Sequence, residues 1–294
     1  MKKKKSTADI IFTVCNTIFM VAFVIITLYP VLNTLAISLN DGIDTVRGGI
    51  HLLPRKFTWK NYTTVIHKQN IMTGAYITVL RTIIGTLVSL VANALLAFIV
   101  SRKRFLFRSQ LSLFWVITMY VNGGMIPTFL VYRGFHLTGT FWVYIVPGAV
   151  SAFNMLVMRT YMLGLPDSLE ESAQLDGAGY FKSFFRISLP SATPAFITVG
   201  LFSFVWYWNE SYLTEMYVSG VMTKSGWTSL VIQLDNFASN YNSYATTAAS
   251  GATSINEAIN MSGTMLSILP LLLMYFVLQR YFVESIDKTG ITGE

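Results

Sequence analysis

Apolar residues fall in six runs separated by polar stretches, roughly 10–36, 75–100, 109–132, 141–163, 195–217 and 262–283. Each approaches the ~20 residues that a helix needs to cross the hydrocarbon core of a bilayer. None alternates strictly, as a barrel strand would, and a chain in lipid must satisfy its own backbone amides. The pattern therefore predicts an all-α polytopic fold with six transmembrane helices. Residues 1–9 form a polar start, 10–283 the six-helix domain and 284–294 a tail. Three long connections remain, at 40–74, 164–194 and 218–261, of which the last is rich in Ser, Asn, Thr, Ala and Gly and reads as a loop. The first run exceeds the ~7–15 residues of a signal-peptide core, so it is expected to stay as the first helix.

Composition narrows the class. Hydrophobic residues make up 53% of the 294 and charged ones 12%, about half the charge of a soluble domain. A disordered chain, a fibrous protein and an ordinary cytosolic enzyme are excluded. The formal net charge of +7 comes largely from residues beside the apolar runs, which orients helices rather than binding nucleic acid. Lys2 to Lys5 and the short segment Ser101–Arg108, with Arg102, Lys103, Arg104 and Arg108, place both termini on the cytoplasmic side. The connections 40–74 and 218–261 then lie outside and 164–194 inside. Cys15 is the single cysteine, and neither it nor the three His residues have the spacing of a metal site.

The 164–194 connection is the most patterned. Ser168 and Glu171 match a capping box, so a helix is expected to start after Ser168. Leu169, Ala173 and Leu175 give it an apolar face, and Gly177 after Asp176 supplies a left-handed stop. A second short amphipathic stretch, Tyr180 to Ile187, carries Phe181, Phe184 and Phe185 on one side and Lys182 and Arg186 on the other, before Leu189-Pro190 ends it. So apolar a segment lies on a membrane surface, packs on its own bundle or enters a groove on another protein; periodicity does not choose.

Glu171-Ser172-Ala173, Asp176-Gly177-Ala178, Phe184, Ile187 and Leu189-Pro190 resemble the EAA loop of ATP-binding-cassette importer permeases, with Ser172 in place of the usual second small Ala. Asn122-Gly123-Gly124-Met125-Ile126-Pro127, Phe141-Trp142, the stretch Pro147 to Asn154 and Trp208-Asn209-Glu210 are similar to the maltose-type carbohydrate importers, in the branch for complex polysaccharide or lipo-oligosaccharide uptake. The resemblance covers nearly the whole chain and implies a type I importer permease. It implies that residues 164–190 form a coupling loop grasped by a separate ATPase. Glu171, Ser172, Ala173, Asp176, Gly177 and the Phe181, Phe184 and Phe185 face would make that joint. It also implies a second homologous permease in a heterodimer, two ATPase copies that bind ATP and Mg, an external solute-binding protein and an oligosaccharide substrate, in a bacterial cell membrane. Glu171 and Gly177 equally serve as a plain helix cap.

The chain itself has no phosphate-cradling G-x-x-x-x-G-K-[ST] loop, no Ser/His/Asp or HExxH arrangement and no paired carboxylates, so no catalytic residue, cofactor or metal is assigned to it. Candidates for the solute path are Tyr120 and Asn122, beside a Gly123-Gly124 break in the third run; Asn154, mid-membrane in the fourth, on a face with Gly148, Ser151 and Met158; and Trp206, Trp208, Asn209 and Glu210 in the fifth. For the last group an interfacial aromatic belt is the plain alternative to sugar stacking. Gly85, Ser89, Asn93 and Ala97 recur every four residues and read as a close-packing face. Arg81 is expected to snorkel outward. The rival class, an ion-coupled secondary transporter or channel, would need intramembrane carboxylates, which the runs nearly lack.

Overall fold

The structure, a computed structural model, describes residues 7–67, 69–175, 177–219, 228–247 and 252–290. Among these the regular elements are helical, apart from one isolated bridge between Asn40 and Phe57. In chain order they are α1 (Thr7–Ser38), α2 (Gly42–Thr45), α3 (Lys60–Ile66), α4 (Gln69–Ser101), α5 (Arg108–Tyr120), α6 (Met125–Gly134), a 3-10 turn (Phe141–Tyr144), α7 (Ala152–Leu163), α8 (Asp167–Leu175), α9 (Tyr180–Ser183), a π turn (Phe184–Ser188), α10 (Leu189–Ser191), α11 (Thr193–Asn209), a second π turn (Thr214–Ser219), α12 (Leu230–Thr247) and α13 (Ala252–Gly290). Lys2 to Lys5 and the end of the tail lie outside the described residues. The chain divides into two compact units, Met1–Ile71 with Leu234–Leu269, and Met72–Gln233 with Pro270–Glu294.

In the first unit α1 is apolar on all sides and buries only Ala36, Ile37 and Ser38 at its end. The hydroxyls of Thr13, Thr17, Thr27 and Thr34 each donate to the carbonyl four residues back, which satisfies them without water. The connection after α1 is built rather than loose. Asn40 is fully buried; its amide donates to Thr45 Oγ1 at 3.0 Å, and its Oδ1 accepts the backbone N–H groups of Arg55 and Lys56. Asp41 caps α2, and Arg55 Nε lies 2.9 Å from Asp44 Oδ2. Burial pushes the Asp44 carboxyl up, but hydrogen bonds from Asn40 and Arg55, with the charges of Arg55 and Lys56, outweigh it and hold the group below its ordinary value.

The second unit is organised around Ala94, Ala97 and Phe98 of α4, Met155, Met158 and Met162 of α7, Phe184, Ala192 and Val199. The three methionines recur at helical spacing, so unbranched side chains fill the irregular space between helices. The predicted 218–261 loop also contains regular structure. Leu230, at the start of α12, is buried and its N–H donates to Thr78 Oγ1 at 2.9 Å.

The six expected crossings are not six continuous helices. Among the described residues, Thr7–Ser38, Asn70–Ser101 and Glu257–Gln279 are long and apolar enough to cross by themselves; two bent pairs raise the number to five if each is one span. Arg108–Tyr120 and Met125–Gly134 meet at 118°. There Asn122 Oδ1 accepts the Gly124 N–H, and Gly124 sits at φ 87, open to glycine. Tyr180–Ser191 and Thr193–Asn209 meet at 83°. The fourth run is a 3-10 turn, an irregular stretch and the 12-residue α7, only about 18 Å of helix. Pro147, which lacks an N–H, and Gly148 interrupt it.

Candidate functional site

Two groups of predicted residues meet in the second unit. The first is the 164–190 connection. Helix α8 begins at Asp167, so Ser168 lies in its first turn rather than at its cap. Gly177 has φ 73, and Ala178 N–H donates to the Ala173 carbonyl at 2.9 Å, the six-to-one bond of a Schellman stop. A Cβ on Gly177 would meet nothing within 4 Å, so glycine is needed here for its backbone angle and not for space. Glu171 and Ser172 are exposed and Ala173 is buried. Asp176 lies outside the described residues.

The expected face of three phenylalanines divides. Phe181 is 76% exposed and Phe185 53%, whereas Phe184 is 1% exposed. The π turn that starts at Phe184 is wider than 3.6 residues, and this breaks the spacing that put the three rings on one side. Phe184 sits edge-on to Phe98 of α4, with centroids 5.2 Å apart, and the Arg102 guanidinium lies 4.3 Å from the Phe98 centroid. Phe184 thus roots the exposed segment in the core of α4, α7 and α11. Of Phe98 and the three core methionines, only Met158 stands out in the sequence; for Phe98, Met155 and Met162 helical spacing is the available signal. A cavity of about 820 Å³ opens beside the segment, with Arg102, Lys103, Arg104, Leu169, Glu171 and Tyr180 in its wall.

The second group surrounds the end of α11. Its aromatic run splits by face: Trp206 and Asn209 are exposed, while Tyr207 and Trp208 are buried at 1% and 5%. Trp208 stacks on Phe204 with centroids 6.2 Å apart and does not line the groove beside Trp206. Trp206, Asn209 and Glu210 line an open groove of about 610 Å³ with Phe202, Val205 and Tyr275 of α13. Glu210 Oε1 also accepts the Leu213 N–H at 2.6 Å. A flat indole beside amide and carboxylate oxygens can hold the C–H face and hydroxyls of a sugar. Tyr275 was missed because it stands in the apolar run Leu271–Leu278 with no polar neighbour to mark it.

Asn154 belongs to neither group. It is 8% exposed and donates to Ser203 Oγ at 3.3 Å; Ser203 donates to Ser89 Oγ at 3.4 Å. Asn93, fully buried, donates to the Ser89 and Ala149 carbonyls and accepts the Ser151 N–H. The small stripe of α4 is therefore a packing seam, as its spacing predicts, and Asn154 completes a polar ladder inside it. Ser151 caps α7 by accepting the Asn154 N–H, and so does not share a helical face with it. Tyr120 is 84% exposed at the α5–α6 break, beside exposed Asn122, and neither lines the groove. Arg81 is fully buried rather than snorkelling.

The comparisons with known proteins agree on one class. Residues 85–288 match the family described as binding-protein-dependent transport system inner membrane component. The chain is 32% identical to the polygalacturonan/rhamnogalacturonan transport system permease protein YtcP of Bacillus subtilis, over 94% of this chain and 96% of that one. It is 26% identical to the arabinooligosaccharides transport system permease protein AraQ of the same organism, over 96% and 97%. A solved chain of a bacterial ABC transporter involved in the import of the acidic polysaccharide alginate superposes with a TM-score of 0.85 at 27% identity, covering 96% of this chain and all of that one.

Proposed function

Because the chain belongs to the family of binding-protein-dependent transport system inner membrane components, we propose that it is the permease subunit of an ATP-driven importer of oligosaccharides. It is not an enzyme; hydrolysis belongs to a separate ATPase subunit. In this reading both termini are cytoplasmic, a second homologous permease closes the path, and two ATPase copies grasp the 164–190 segments. A solute-binding protein delivers the sugar from outside. Closure of the ATPase pair draws the segments together and opens the cavity outward, and hydrolysis reverses this, a two-state bundle biased by its partner.

One observation carries the coupling role: an exposed segment, with Glu171 on α8 and Phe181 and Phe185 beyond the Gly177 stop, is rooted by Phe184 in the core. A push on such a segment has a rigid route into α4, α7 and α11. The sugar assignment is supported by the groove at Trp206 and by the substrates for which the relatives are named. The rival ion-coupled transporter would need an intramembrane carboxylate for the ion, and Glu210 is already bonded to Leu213 N–H.

Uptake of pectin- or arabinan-derived oligosaccharides into vesicles with trapped ATP tests the assignment. Transport should require the ATPase and the binding protein; uptake driven by an ion gradient alone would refute it. Trp206→Leu should raise the KM for uptake with little change in Vmax. Gly177 tests the joint. Gly177→Val forces a β-branched residue into the left-handed region at about 1–2 kcal/mol, so ATPase association should fall roughly tenfold, while Gly177→Asn, which tolerates that angle, stays near wild type. Equal association of both variants in a pull-down would contradict the joint.

A further inference from the structure

We propose that Arg81 is a positioning residue: its guanidinium latches the end of α11 and so fixes the Trp206–Asn209 edge of the groove. The proposal rests on the reading of that groove as the solute contact. Arg81 lies on an apolar helix and is 0% exposed, a costly place for a charge without a hydrogen-bonding role. Its Nη2 donates to the carbonyl of Trp208 at 3.3 Å and to that of Glu210 at 2.5 Å. These are carbonyls at the end of α11, which lack intrahelical partners and carry the partial negative charge of the helix terminus. The guanidinium also lies 5.0 Å from the centroid of the Tyr144 ring.

The grip is completed by two missing side chains. Gly85, one turn along α4 from Arg81, leaves room for the Tyr207 ring, which a Cβ there would overlap. A Cβ on Gly148 would lie 2.5 Å from the Trp206 ring and 2.7 Å from the Tyr207 hydroxyl. The last turn of α11 is thus held by a cation at its carbonyls and by backbone pressed against its rings. Trp206 and Asn209 leave this same turn for the groove, so their aim depends on the latch. Glu210, whose carbonyl Arg81 holds, in turn fixes Leu213 through its carboxylate.

The test uses the complete importer in proteoliposomes. Arg81→Met keeps the length and removes every donor; Arg81→Lys keeps the charge and can still reach a carbonyl. Per assembled complex, Arg81→Met should raise the uptake KM roughly fivefold or more with a smaller change in Vmax, and Arg81→Lys should recover most of the loss. The second readout needs no sugar. In a Cys15→Ser background, the thiol introduced by Leu213→Cys at this buried position should react with a thiol reagent about tenfold faster when Arg81→Met is also present. A merely structural role would lower the yield of complexes and leave their KM unchanged. Wild-type KM in Arg81→Met beside a raised KM in Trp206→Leu overturns the proposal and keeps the groove. Wild-type KM in both variants means that the groove reading has failed, and the proposal with it; the labelling rate then shows only whether Arg81 still holds the turn. Should Arg81→Met not assemble, Arg81→Gln, with a donor but no charge, carries the same two readouts.

Discussion

Replacing Phe184 with Ala should destabilise the assembled permease by about 3 kcal/mol and separate ATP hydrolysis from uptake. The ring is 1% exposed and packs among Phe98, Met162 and Val199, so truncation removes buried contacts and leaves a void that the methionines refill only in part. The void opens where the 164–190 segment joins the bundle. An ATPase could still bind α8, but its push would be absorbed in the gap. Thermal unfolding of the solubilised importer and the ratio of sugar moved to ATP cleaved measure the two effects. Phe181→Ala and Phe185→Ala are the contrast. Their rings are exposed, so bundle stability should change by less than about 1 kcal/mol, while ATPase association weakens. A normal transport ratio in Phe184→Ala would show that motion reaches the bundle by another route.

Gly85→Ala should cost about 1–3 kcal/mol through a single added methyl. Its Cβ would overlap Tyr207 ring atoms, and that ring cannot step aside: it is 1% exposed, and its hydroxyl donates to the Ile145 carbonyl at 3.3 Å. The helices must part or the ring must leave its pocket. A double-mutant cycle identifies the cause. Tyr207→Leu alone loses packing, but with Gly85→Ala present it also removes the clash. The pair should be less damaging than the two single effects together, with a coupling of about 1 kcal/mol or more. Strict additivity in unfolding measurements would mean that Gly85 is not kept small by Tyr207.

The helical class, the bend at Asn122–Gly124, the stop at Gly177 and the small stripe of α4 are legible in sequence because each rests on local chemistry: hydropathy, left-handed glycine, close approach at every fourth residue. The features that escape depend on partners distant in the chain. Nothing near Arg81 announces that carbonyls more than a hundred residues away will receive it. Phe181, Phe184 and Phe185 look equivalent until a π turn rotates one inward. Trp206 and Trp208 differ only in which side of α11 is buried. In the 40–74 connection, Asn40 becomes buried because Arg55 and Lys56 return to it, a closure that composition alone does not encode.

The polar ladder of Asn93, Ser89, Ser203 and Asn154 has a mechanical consequence. Its bonds cross from α4 to α11 and from α11 to α7, and in an apolar surround a shift of one residue along any of these helices would strand several donors at once. These three helices are therefore keyed against sliding and must travel as a block. The freedom needed to alternate between two states is left to joints outside this block, such as the sharp corner between Tyr120 and Met125.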